Sequence, residues 1–234
     1  MKSESVYKED RNKSLNRLRN NNDRISKEKK TFINFLLNNL FINSNVYTFI
    51  LKFFGIKVGS GCKFRGPINF ILHGKISNIE IGDHVIIGKN VTFKIRENGK
   101  ILIRDKVYID DNVRLTAARE GRIKIEEGTN IGASTIINSG GVVEIGKFCL
   151  ISNNCNINSS SHGLKKDSYI IDQEHSHGFI NIENDVWMGG FVTVAYNTKI
   201  EEGSVIGANS FVTKNIEAFS INVGCPTKKI SERE

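Results

Sequence analysis

The chain is poor in proline, with two residues in 234, in tryptophan, with one, and in cysteine, with four. So little proline argues against long linkers. Four cysteines are too few for a disulfide scaffold, and no pair has metal-site spacing. Cys149 and Cys155 lie six residues apart and read as small core residues. The stretch 32–54, FINFLLNNLFINSNVYTFILKFF, has the length of a membrane span, but Asn34, Asn38, Asn39, Asn43 and Asn45 would be costly in hydrocarbon. The start MKSESVYKED lacks the apolar core of a secretory signal. Reduced thiols without a signal predict a cytoplasmic protein. Charge is only modestly one-sided, 33 Lys and Arg against 25 Asp and Glu, or +8. Residues 1–30 hold ten basic and five acidic residues, leaving +3 for 31–234. The basicity belongs to a solvated polar arm, and no base-reading motif accompanies it, so no nucleic-acid partner is expected.

What the chain does have is an apolar residue at every sixth position. The series runs Ile81, Ile87, Phe93; Ile103, Ile109, Leu115; Ile125, Ile131, Ile137; Ile145, Ile151, Ile157; and, after a break, Ile182, Met188, Val194, Ile200, Ile206, Val212. Neither a helix nor a simple strand has this period. A hexapeptide repeat does, with one short strand and one turn per six residues and three units to a triangular coil. The steps from Ile81 to Ile103 and on to Ile125 are 22 residues, and the next, to Ile145, is 20. Each coil therefore carries a four- and then a two-residue excursion. Gly82, Gly88, Gly132, Gly146, Gly189 and Gly207 follow inward residues, where a missing Cβ would allow tight bending. Val85, Val91, Val107, Val113, Val186 and Val192 suit a narrow stacked interior. The fold class expected is all-β: a left-handed parallel β-helix solenoid with a short α-helical N-terminal segment and an extended histidine-bearing loop.

Three regions follow. Residues 1–55 form a polar basic arm and amphipathic helices near 32–42 and 45–54, which cap the first coil or make a peripheral membrane contact. Residues 56–214 are the β-helix, entered with imperfect phase over Ile56–Phe70. Residues 215–234 form a tail that leaves the repeat, with Pro226 opposing a further strand. The six-residue beat stops over 158–181, NSSSHGLKKDSYIIDQEHSHGFIN, which holds His162, His175 and His177, three of the five histidines. A loop on a rigid scaffold is where function concentrates. His162 directly follows the last coil residues and is the best-anchored candidate for a general base. His175 and His177 sit deeper in the loop and read as mobile surface residues.

The segments EIGKFCLISNNCNINSSSHG, NIENDVWMGGFVTV, IEEGSVIGANSFVTKNI and VGCPTKKI resemble the hexapeptide-repeat, left-handed β-helix acyltransferases. Within that family they are most similar to the galactoside and maltose O-acetyltransferases and to the capsular and polysialic acid O-acetyltransferases. The resemblance is strong over 143–230, generic over 56–142 and absent before residue 56. It implies acetyl transfer from acetyl-CoA to a hydroxyl by direct attack, with no metal. His162 would be the base and Trp187 would lie beside the thioester. Gly189, Gly190, Ala208, Thr213, Lys214 and Lys228 would contact the donor. It also implies a homotrimer with CoA bound between neighbouring solenoids. The stretch GASTIINSGG supplies Asn138 but not the carboxylate with which the galactoside enzymes bind sugar, and Ser231 stands where a family arginine falls. A surface polysaccharide, capsular or lipopolysaccharide, is the acceptor expected, with a nucleotide-linked amino sugar, a small sugar or a xenobiotic as alternatives. A zinc carbonic anhydrase would need three histidines at a different spacing. A bare scaffold would have no need of the loop.

Overall fold

A computed structural model describes residues 43–234. The arm over 1–30 and the helix expected over 32–42 lie outside the described residues. The described chain opens with α1, Ser44–Phe53, whose first turn is closed by Asn43 Oδ1 accepting from the Asn45 N–H at 3.0 Å. It ends in a glycine-terminated turn. Gly55 takes φ +95°, its N–H donates to Lys52 O at 2.9 Å, and the Ile56 N–H donates to Leu51 O at 3.0 Å. Tyr47 and Leu51, four apart and so on one face, are buried. The Tyr47 ring stacks on Phe64 at 4.9 Å, and its hydroxyl accepts from the Ile68 N–H at 3.1 Å. The helix thus seals the first coil.

The rest is a left-handed parallel β-helix. Three parallel sheets, of seven, nine and seven strands, share the coils, and only the last strand of the second sheet is antiparallel to its neighbour. Register along the first face reads Lys57↔Glu80, Ile79↔Ile101, Ile101↔Ile123, Ile123↔Val143, Val143↔Ile180 and Ile180↔Thr198. These are a first step of 23 residues, then the 22- and 20-residue steps of the sequence, then one long coil and an 18-residue coil. The inward isoleucines from Ile79 to Ile206 are at most 3 % exposed. At the fifth hexad position Thr129, Thr135, Cys149 and Cys155 join the valines, all buried. The Cys149 and Cys155 thiols donate to Glu183 O at 3.0 Å and Gly189 O at 3.3 Å on the next coil. Burial pushes both thiols above the ordinary range.

Three expectations are corrected. The first coil is in phase after all: Val58, Phe64 and Phe70 point inward one per face, each buried, and Phe70 stacks on Phe93 at 5.6 Å. The glycines after inward residues are not the bending residues. The third residue after most inward positions of the first two faces takes positive φ instead, and His84, Asn90, Lys106, Asn112, Ser134, Phe148, Asn154 and Asn209 do so with side chains. The glycines are needed because the next coil lies against them. A Cβ on Gly82 would stand 2.8 Å from Asp105 N, and one on Gly132 would stand 2.6 Å from Ser152 C. The repeat also runs past Thr213. Ile216 bridges Ile200, Ser220–Val223 adds a parallel strand, and Lys228–Glu232 then folds back antiparallel after Pro226. The sequence hides this strand because Asn222 takes the inward place, its amide donating to Ser220 Oγ at 2.8 Å.

Candidate active site

All of the excursions leave the solenoid at one corner, where the third face turns into the first. The third-face strands Val91–Glu97, Arg114–Ala117, Ile136–Ser139 and Asn156–Asn158 each end there. The long loop leaves from the same corner, between Asn158 and Phe179. Its ends are strands, so it is shorter than the 158–181 read from the beat. Ser160–His162 pairs antiparallel with His175–His177, in register Ser160↔His177, Ser161↔Ser176 and His162↔His175. Alternation along paired strands brings the side chains of 160, 162, 175 and 177 to one side.

His175 and His177 are exposed, as expected of surface residues, but they sit on a paired strand and not on a loose loop. The His162 and His175 rings lie 4.1 Å apart between centroids, and His175 and His177 are parallel at 6.0 Å. Ser160 Oγ and His177 Nδ1 are 3.2 Å apart. Gly140 makes room for that pair, since a Cβ there would fall 2.5 Å from both atoms. The three histidines border a cavity of about 320 Å³, whose other walls include Arg96, Glu97, Thr116, Arg119 and Asn138 from preceding coils. Loss of solvation, together with the charges of His162, Arg119, His177 and Arg96, holds the His175 imidazole below its ordinary range. Loss of solvation and Arg119 do the same to His177. Both effects favour the neutral ring. Among the described residues no group of three or more His, Cys, Asp or Glu is arranged to hold a metal.

Arg96, Thr116 and Arg119 escaped notice because they fall between beats. Their signal is the widened step at the same point of each coil: Phe93 to Ile103, Leu115 to Ile125, Ile137 to Ile145.

The other expected residues lie elsewhere on the chain. Trp187 is half-exposed on the second face, between Leu150 and Val205. In a three-sided coil that face is opposite the corner bearing His162, and Trp187 is not among the cavity's walls. Gly189, Gly190 and Ala208 follow second-face strands at the next corner, Thr213 and Lys214 follow Phe211–Val212, and Lys228 begins the returning strand. Gly189 is fixed by stacking, because its Cβ would stand 2.6 Å from Ala208 N. At Gly190 a Cβ would meet only Asn153 O, at 3.5 Å, so its open side is free for a ligand. Lys214 and Lys228 are exposed and form no ion pair among the described residues, which suits phosphate binding.

Comparison with known proteins fits this geometry. A family model described as the hexapeptide repeat of succinyl-transferase matches residues 122–159 and 180–214. The dTDP-4-amino-4,6-dideoxy-D-glucose acyltransferase of Escherichia coli is 32 % identical over 158 residues, 63 % of this chain and 81 % of that protein. Among solved structures, AntD, an N-acyltransferase from Bacillus cereus in complex with dTDP and 3-hydroxybutyryl-CoA, shares the fold with TM-score 0.58 at 21 % identity, over 79 % of this chain and 87 % of that one. The polysialic acid O-acetyltransferase OatWY shares it with TM-score 0.53 at 19 % identity, over 76 % and 88 %. With the coil, the interrupting loop and this relationship in place, the chain belongs to the hexapeptide-repeat acyltransferases.

Proposed function

We propose that this enzyme moves an acetyl group from acetyl-CoA to a hydroxyl of a bacterial surface glycan, capsular or lipopolysaccharide, with His162 as general base. The observation that carries the reading is the position of His162, held on the hairpin at the mouth of a polar cavity large enough for a sugar. The thioester is already activated, so the protein's task is orientation and timely proton removal. His162 takes the hydroxyl proton as the oxygen attacks the thioester carbon, then returns it to the departing thiolate. A positioned base of this kind contributes roughly 10²–10⁴-fold.

The donor residues are those the family resemblance implies, and their chemistry suits the role. Trp187 gives an apolar wall and one N–H donor. Gly190 lines the pantetheine path beside Gly189, which stacking holds in place, Ala208 and Thr213 follow it, and Lys214 and Lys228 meet the phosphates as cations. Because His162 and Trp187 lie on opposite sides of one coil, a complete site needs the His162 corner of one protomer against the Trp187 face of the next. A cyclic homotrimer satisfies that. Acyl-CoA supply fits a cytoplasmic location.

A second reading is N-acylation of a nucleotide-linked amino sugar, favoured by the similarity to the Escherichia coli enzyme. One assay separates them. Thiol release from acetyl-CoA is followed with glycans and with a nucleotide-linked amino sugar, in wild type and His162→Ala. Release dependent on a hydroxyl acceptor and abolished by His162→Ala supports the first reading. Release only with the amine supports the second.

A further inference from the structure

The cavity beside the histidine hairpin carries more positive charge than it balances. Arg96 and Arg119 both border it. Its one carboxylate, Glu97, sits 3.8 Å from the Arg96 guanidinium and accepts the Arg119 backbone N–H at 2.6 Å. The Arg119 guanidinium itself has no carboxylate partner among the described residues. Two arginines against one glutamate leave a net positive cavity even with every imidazole neutral.

The surroundings register this charge. Lys94, Thr116, Asn138 and Asn158 stand in one outward row across adjacent strands. At about 4.8 Å per strand the row spans roughly 14 Å. Burial, with Arg114 and Arg96, lowers the Lys94 ammonium. Arginine charge likewise contributes to lowering His175 and His177. Like charges that outnumber their counter-charge are stabilised by an incoming anion. In the same row, Thr116 Oγ1 is the buried side-chain oxygen that lacks a hydrogen-bond partner among the described residues, and Thr116 is a wall of the cavity. A buried hydroxyl left unpaired is a standing invitation to a ligand oxygen.

We propose that the acceptor carries an oxyanion, which Arg96 and Arg119 bind while Thr116 and Asn138 contact its hydroxyls. This rests on the acyl-transfer reading of the same cavity and narrows its acceptor to an acidic one. A sugar carboxylate and a sugar-linked phosphate offer the same oxyanion. A planar guanidinium can hold either with two parallel bonds. Arg119 is the specificity-determining residue, because Arg96 already leans on Glu97.

The test is calorimetric titration of the full chain with three probes: trigalacturonate, its fully methyl-esterified neutral counterpart, and dTDP. Thiol release is followed on the same samples. At least one anionic probe binds wild type, and the neutral ester binds at least tenfold more weakly. Arg119→Gln weakens the anionic probe by roughly ten- to a hundredfold, Arg119→Lys restores part of it, and raised salt weakens it further. Which anion binds identifies its source, acidic sugar or nucleotide. Equal binding of acid and ester, no binding of either anion, or indifference to Arg119→Gln would overturn the proposal. So would competition by CoA for the anion site, which would give the arginines to the donor. Anion-selective binding in a protein that transfers nothing would uphold this site and remove the acetyl-transfer reading beneath it. Active transfer with no charge preference would do the reverse.

Discussion

Two adjacent glycines at one corner separate the demands of stacking from those of the ligand. An alanine Cβ at Gly189 would sit 2.6 Å from Ala208 N and 3.0 Å from Ala208 Cα. Both atoms are backbone, held between Gly207, whose N–H donates to Asn222 O at 2.8 Å, and Asn209, whose N–H donates to Gly190 O at 2.9 Å, so they cannot swing aside as a flexible side chain would. Overpacking of this kind costs about 1–3 kcal/mol. At Gly190 the Cβ would meet only Asn153 O, at 3.5 Å, an ordinary contact. Neither glycine has positive φ, so alanine adds no backbone strain at either place. It restricts the unfolded chain instead, a gain of about 0.4–1 kcal/mol. For a chain of this size 1 kcal/mol moves Tm by roughly 2–4 °C. Gly189→Ala should therefore melt several degrees below wild type, while Gly190→Ala melts at or slightly above it. The second variant should nevertheless raise the KM for acetyl-CoA, because its methyl enters the space assigned to the donor. Thermal melts by circular dichroism and a donor titration read both effects. Equal melting temperatures for the two variants, or an unchanged donor KM in Gly190→Ala, would refute the division of labour.

Other outcomes follow from the same geometry. The folded-state pKa values of His175 and His177 are lowered, so in NMR titrations both rings should change charge below the ordinary value of about 6.5. As pH falls through about 6.5 the unfolded chain takes up these protons first, so acid favours unfolding in that window. Ile131→Ala, at a fully buried inward site, should cost about 2–5 kcal/mol by denaturant titration. A co-expressed mixture of His162→Ala and Trp187→Ala chains, each impaired alone, should recover roughly a quarter of wild-type turnover. Random assembly places the two intact residues across one interface in four. No recovery would mean that both residues act within one chain.

How much of this was legible in the sequence depends on which atoms carry the signal. The solenoid was, because the inward position admits mostly compact apolar side chains and returns every six residues within each coil from Ile81 to Val212. The excursions that build the candidate site were also written there, as steps of 22, 22 and 20 residues before the long coil. The final strand was not, since Asn222 fills an inward place through a local hydrogen bond that composition does not reveal. The glycines were found but misread: whether a glycine bends its own chain or yields to the next coil depends on a neighbour about twenty residues away. The pairing of His162 with His175 depends on a hairpin whose strands are three residues each, too short to leave a pattern. Arg96 and Arg119 come to one cavity only because two coils stack in register.

The most direct test of the central claim is thiol release from acetyl-CoA with a panel of acidic and neutral surface glycans, run in parallel for wild type and His162→Ala. The account predicts acceptor-dependent release that falls roughly 10²–10⁴-fold in the variant, with donor binding nearly unchanged. Near-normal turnover in His162→Ala, or release that no acceptor stimulates, would contradict it.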